Sequence, residues 1–507
     1  MSPENDGSVD RPWSTLEQVF AAGKTFPPGA WILLRRGYHG GPIIHGNNTA
    51  MVTIAAEAGH APIMKWVKFS GATKWTLQDV FIRPDSAPDD GERTMLQFLS
   101  SSSDNVVRNV GAYSTQDPYG YRADEKAWLA HQRQGLVVKS GGRNLIEKLY
   151  LLNVGNGMLV ESTDNVIRRT TMENFTRDGW VPLGDANTWE WNVMMNAIMT
   201  DHTISIFDKP PKPERLHRDM VQTWNGARKG MVFRGNVLIA VADPTLPVAG
   251  NDPTATGYID KRIPAFAGWN GPFTGYRFEN NVVFTDHQAG IWLANAKDCV
   301  IVNNTLTTID LPASKGYPAI KIIGTSTGNR VYNNIANAFD MSESTVAVLG
   351  HNITAPPYAT TFLAQKQPMA DVRLRATATS AIGAADDAFA PDLDADGLPR
   401  PKSGRDIGAY ELAAAPSADT TAPTPPGAPR VIVVSGLGAD LAWSESSDDR
   451  GVAGYDIFRD GAKVGRTRNG ARFFDLTDKA ATAKYEVVAF DGAGNASKHS
   501  AVATAKP

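Results

Sequence analysis

Gly135-Leu-Val-Val, Gly157-Met-Leu-Val and Gly179-Trp-Val-Pro begin 22 residues apart, and that spacing decides the fold. Asn144-Leu-Ile, Asn165-Val-Ile and Asn187-Thr-Trp follow them at steps of 21 and 22, and Asn153, Asn174 and Asn196 repeat the same steps. A period near 22, with short β-branched runs between Gly and Asn corners, predicts an all-β parallel solenoid. One coil is then three short strands joined by turns. Asn suits the turns because it tolerates left-handed backbone and can bond its neighbours in a ladder.

The same registration lines up acidic residues. Asp178 precedes Gly179, and Asn156 holds that place one coil earlier. Asp219-Met-Val-Gln222 aligns with Asp178-Gly-Trp-Val once an insertion is allowed between them. Asn156, Asp178 and Asp219 are expected to stack on one corner, ~4.8 Å apart per coil. Stacked carboxylates repel, so one is expected to have a raised pKa or to share a cation. Asp185, His217, Arg218 and Gln222 lie close in sequence to this column and complete the candidate site.

Two or three domains fit a chain of 507 residues. Its 42% hydrophobic and 20% charged content is that of a soluble globular protein. A net charge of −3 argues against general nucleic-acid binding, which needs a basic surface. No apolar run is long enough to span a membrane. The single cysteine, Cys299, excludes an internal disulfide and reads as a buried strand residue. Met1-Ser-Pro-Glu-Asn-Asp has no apolar core of a signal peptide.

Towards the N-terminus, Ser14 or Thr15 can cap a short helix striped by Leu16, Val19 and Phe20 and stopped at Gly23, a suitable plug for an open coil end. Strands are expected from Trp31 onwards, with Arg330-Val-Tyr-Asn-Asn-Ile as the last clear coil. Three insertions (116–134, 200–216 and 241–275) break the pattern and are candidates for a binding face. Residues 413–428 are a Pro/Ala/Thr linker. Beyond it, 429–507 alternates at period 2, as in a small antiparallel β-sandwich. Asp392-Leu-Asp394-Ala-Asp396-Gly397 opens like a calcium loop, but Ser403 stands where the loop needs Glu, so it reads as a closing turn.

Residues 1–412 resemble the right-handed parallel β-helix proteins of bacterial carbohydrate metabolism. The resemblance rests on Asn280-Asn281-Val282, Asn303-Asn304 and Asn333-Asn334-Ile335, on the opening Arg11-Pro-Trp-Ser-Thr-Leu with Pro28-Gly-Ala-Trp-Ile-Leu-Leu, and on the closing Asp406-Ile-Gly-Ala-Tyr-Glu411. Residues 429–507 resemble a fibronectin type III domain through Trp443 and Tyr485. Together they imply a secreted, periplasmic or cell-surface polysaccharide-degrading enzyme, with 1–412 catalytic. The fold alone does not fix the chemistry. Neither the Asp-Pro-His-Glu run of mannuronan epimerases nor the Gly-His-Gly and Arg-Ile-Lys runs of polygalacturonases occurs.

Three functions stay open. A lyase cleaving an acidic polymer needs a base, which His217 could be, and cations for the uronate carboxylate: Lys139, Lys209, Lys212, Arg215 and Arg218 are available. Asp178, Asp185 and Asp219 would then hold a calcium ion. A glycoside hydrolase needs only two carboxyls, from among Asp178, Asp185 and Asp219. A non-catalytic glycan binder needs neither, since Asp and Asn are ordinary at such corners. Trp180, Trp189, Trp191, Trp224, Trp269 and Trp292, with Gln222, are candidates to contact sugar; Trp180 and Trp292 could equally fill the core.

Overall fold

A computed structural model describes residues 5–58, 60–84, 89–114, 132–198, 203–204, 213–214, 218–224, 226–241, 262–309, 313–341, 343–345, 348–364, 371–412, 420–434, 438–449, 452–467, 471–476, 479–491 and 495–504. Helix Leu16–Ala21 opens the chain, with the Thr15 hydroxyl accepting from the Gln18 N–H. Its Leu16 and Phe20 enter the main core beside Trp75.

From Trp31 to Thr354 the chain winds as a parallel coil of three sheets. The first sheet stacks Gln134–Val138, Met158–Val160, Trp180–Pro182, Val221–Thr223, Phe266–Gly268, Ala289–Ala294, Ala319–Ile323 and Ala338–Asp340. The second contains Val166–Arg168, Thr188–Glu190, Val232–Arg234, Arg277–Glu279, Val300–Val302 and Arg330–Tyr332. The third contains Thr171–Phe175, Val193–Ala197, Val237–Ile239, Val282–Phe284 and Thr305–Thr307. One further coil, ending at Ile353–Thr354, follows the last one visible in the sequence. Its strands are short and half exposed, so they carry no apolar run to announce them.

Glycine recurs every 22 residues for a steric reason. A Cβ on Gly135, Gly157 or Gly179 would collide with the carbonyl oxygen of Gly157, Gly179 or Met220 respectively, the next rung in each case. Asn144, Asn165 and Asn187 bond in sequence, each side-chain oxygen accepting from the N–H groups of the Asn before it. A longer ladder runs through Asn192, Asn236, Asn281, Asn304, Asn334 and Asn352. Asn153, Asn174 and Asn196 take left-handed φ values of 60°, 58° and 64°.

Outside the second sheet, Arg108, Glu147, Arg168, Glu190, Arg234 and Glu279 form a column of alternating charge by register. Arg108 and Arg168 each reach Glu147 at 2.8 Å, and Arg234 reaches Glu279 at 2.9 Å. The third sheet is covered by the segment after Thr354: Val372, Leu374, Ile407 and Tyr410 pack on Val282, Phe284 and Ile335. Asp394 lies in that segment as a turn. Its Oδ1 accepts from the N–H groups of Asp396 and Leu398, and Asp392 pairs with Arg405.

Residues 430–504 form two antiparallel sheets over a shared core of Leu441, Trp443, Tyr455, Ile457, Tyr485 and Val487. These sheets abut the coil. Tyr113 of the coil donates to Asp440, which also holds Arg472 at 2.8 Å.

Candidate functional site

The turn between Thr171–Phe175 and Trp180–Pro182 carries Asp178, and the turn before Val221–Thr223 carries Asp219. Trp180 pairs with Val221, which sets Asp178 beside Asp219 and Arg177 beside Arg218. Backbone bonds fix the stack: Gly157 N–H donates to Asp178 O and Gly179 N–H to Asp219 O, both at 3.0 Å. Asn156 continues the column one rung back, its carbonyl accepting from Gly135. One oxygen of the Asp178 carboxylate accepts the Asp219 N–H at 3.1 Å, so the side chain is aimed along the stack.

Burial separates the two acids. Asp178 is half-buried; Asp219 is fully buried at 0% exposure. Burial pushes the Asp178 carboxyl up to about 6, against the pull of the Asp219 N–H and Arg177. Burial and then the Asp178 charge push Asp219 up to about 8, with the Gln222 side chain opposing. At neutral pH the pair therefore holds about one proton, on Asp219.

Several expected members lie elsewhere. Trp180 is corrected from a sugar contact to a core residue: it is 0% exposed and stacks on Trp189 at 5.2 Å. Its strand position points inward, in line with Met158 and Val221. Asp185 does not join Asp178 and Asp219. The strand Trp180–Pro182 lies between them, and Asp185 accepts the Lys229 N–H at the following turn. The expected calcium ion loses its third carboxylate. Among the described residues no group of three His, Cys, Asp or Glu side chains could hold a metal. Lys139, also expected near the pair, sits at the other end of its strand and faces Glu161 at 3.7 Å. Lys209, Lys212, Arg215 and His217 lie outside the described residues, as does most of the three insertions.

Arg218 is half-buried and donates to the Ile198 carbonyl at 3.2 Å. Gln222 faces outward on the first sheet, in a column with Ala267, Trp292 and Lys321. Trp224 is half-buried just past the same strand. Trp269 and Trp292 are half-buried with ring centroids 4.8 Å apart, and the Lys321 ammonium lies 5.1 Å over Trp292. They form an aromatic ledge one and two rungs from Asp219, on the sheet that its strand enters. Arg177 is the member that the sequence reading missed. The dipeptide Arg-Asp occurs at 177–178 and again at 218–219, one rung apart, and that repeat was the available signal.

No family model matches the chain. A stretch of 87 residues is 46% identical to Exoglucanase B of Cellulomonas fimi, covering 17% of this chain and 8% of that protein. A stretch of 88 residues is 38% identical to an alpha-amylase of Niallia circulans, covering 17% and 7%. A stretch of 74 residues is 40% identical to a gellan lyase of a Bacillus species, covering 14% and 3%. The chain thus spans less than a tenth of these relatives. Among solved structures, the Azotobacter vinelandii mannuronan C-5 epimerase AlgE6 A-module is 14% identical, at a TM-score of 0.30 over 68% of this chain and 93% of that one. A mannuronic acid specific polysaccharide lyase from human gut microbiota is 12% identical, at 0.30 over 66% and 80%. At such scores these likenesses carry no argument about function.

Proposed function

We propose that the chain is a secreted polysaccharide-cleaving enzyme, a lyase that acts on a uronate-containing polymer. The observation that carries the reading is the repeated Arg-Asp pair on successive rungs, with a half-buried carboxyl whose pKa burial pushes up to about 6. A general base works best with a pKa near the operating pH. The Asp178 carboxylate takes the proton next to the uronate carboxylate. The electron pair closes a carbon–carbon double bond as the neighbouring C–O bond breaks, and the departing oxygen takes the proton back. Arg177 and Arg218 neutralise the uronate carboxylate so that the developing charge is tolerated. Asp219 keeps its proton and holds Asp178 in place. The Trp269–Trp292 ledge and Gln222 receive the sugars beyond the cut.

One observation favours glycoside hydrolysis as a second reading: Asp219 retains a proton at neutral pH, as a general acid must. Its full burial weighs against direct contact with a glycosidic oxygen.

The chain divides, in this reading, into 1–412 as the catalytic coil, 413–428 as a linker and 429–507 as a fibronectin type III-like unit. Matches 74 to 88 residues long to several polysaccharide-acting enzymes support a shared accessory unit of about that size. A panel of acidic polysaccharides incubated with the full chain tests the activity. Ultraviolet absorbance of an unsaturated uronate is the expected result. New reducing ends without absorbance mean hydrolysis, and binding without either product overturns both enzymatic readings.

A further inference from the structure

The corner that carries Asp178 and Asp219 continues along the coil in both directions, and its two sides differ. By register, the Arg177 position holds Arg133, Gly155, Arg177, Arg218, Ile263 and Gln288 on successive rungs. Towards the N-terminus this corner is filled. The Gln132 side chain lies over Gly155, where a Cβ would meet its amide oxygen at 2.7 Å. That oxygen accepts the Thr176 hydroxyl at 2.9 Å, which ties the amide to the rung of Asp178. Arg133 is 8% exposed and faces Asp89 at 3.7 Å. The sheet face beside the corner is closed as well. Val137 and Val181 point outward, opposite in pleat to the buried Leu136, Val138 and Trp180, yet are only 8% and 6% exposed. Sugar hydroxyls pressed against such a face would lose water and gain no hydrogen bond.

Towards the C-terminus the same corner and face are open and polar. Arg262 and Gln288 are exposed at the corner, and Tyr317 is 38% exposed on the following rung. Gln222, Trp292 and Lys321 present an amide, an indole and an ammonium on the face, with Trp269 beside them. Each rung advances ~4.8 Å, close to the step of one sugar in an extended polymer. A line from Asp178 to the Trp269–Trp292 ledge therefore runs along the coil axis, and it is blocked at one end only.

We propose that the polymer lies along the coil axis with its terminus against Gln132 and its body over the rungs from Val221 to Lys321, so that cleavage takes place at chain ends and not within chains. Gln132 is the residue that sets the limit. This rests on the reading of the chain as a polysaccharide-cleaving enzyme, and the experiment separates the two. The full chain carrying Asp178→Asn, which consumes no substrate, is titrated by calorimetry with polygalacturonate and with polymannuronate, each at two chain lengths. One protein bound per polymer chain at both lengths is the expected result. A number that grows with chain length overturns chain-end binding, whatever the chemistry. With the parent enzyme, short products of a single size are expected from the earliest time points, and Gln132→Ala is expected to release longer ones. A Gln132 that served only to support the turn would leave product size as it is, and that result removes its assigned role. Early products of mixed length overturn the proposal while leaving the cleavage reading intact. Absence of both binding and cleavage on either polymer overturns the two together.

Discussion

Asp219 is a carboxyl placed where the chain gains by keeping it neutral. Its folded value of about 8 lies far above the usual 3.8, so folded protein holds a proton that unfolded protein releases. The stability this contributes is complete below the unfolded value and is lost as pH rises through about 8. Asp219→Asn keeps the shape and removes the titration. Thermal unfolding of the parent is expected to weaken between about pH 5 and pH 8, and the variant to weaken less over that window. Equal slopes would mean that the acid is not raised. Asp178 makes the matching kinetic prediction. Activity should rise with pH through about 6 as the base ionises, and Asp178→Asn should lower kcat by roughly 10²–10⁴-fold. Arg177→Met should raise KM for an acidic polymer, read from initial rates over a range of polymer concentrations, while Arg177→Lys should restore part of the loss.

For the strands and turns, the controlling fact is that one rung repeats the chemistry of the last. The Asn ladder buries amides with their partners supplied by the next coil. Asn281 is 0% exposed; it donates to the Phe233 and Asn304 oxygens and accepts from Asn236. Asn281→Leu strands the donors of Asn236 and should cost roughly 2–4 kcal/mol, read from denaturant unfolding. The glycine column makes a steric counterpart: Gly157→Ala should lower stability in denaturant unfolding, because its Cβ would strike the Gly179 carbonyl oxygen and the Met172 sulfur. These columns were legible in the sequence because stacking forces similar residues to equal spacing. The register of Asp178 against Asp219 was legible for the same reason, despite the long insertion between them. Trp180 was not legible, because a strand residue next to a corner points inward or outward by a single step of pleat. Asp185 looked close in sequence, yet a strand of extended chain carries it to the next turn.

Across the whole molecule, the C-terminal sheets are fixed to the coil by more than their linker. Asp440 is 1% exposed and is shared by Arg472 and Tyr113 across the junction. Ile432 joins the cluster of Phe81, Tyr113, Tyr150 and Leu152, and the Arg472 guanidinium lies 5.0 Å from the Phe81 ring centre. Gly111 leaves the room that Arg472 occupies. Removing one member of a buried pair leaves the other uncompensated, so Arg472→Ala should cost about 3–5 kcal/mol. Calorimetry should show one transition in the parent and two in that variant, as the units come apart. A single unchanged transition in the variant would show that Arg472 is not what holds the two units together. The alternation of residues 429–507 announced strands, but nothing in it or in the Pro/Ala/Thr linker said where those strands would pack. No local pattern encodes a contact between residues more than three hundred positions apart.

The sequence by itself determined the coil, its period, its polar ladders and the alignment of two acidic corners, because those follow from short-range repetition. Tertiary structure alone decided which of the aligned groups meets water, which is sealed, and which neighbours surround it. Burial raises one carboxyl above neutrality and leaves another half open, and burial depends on everything that packs around a corner, near or far along the chain.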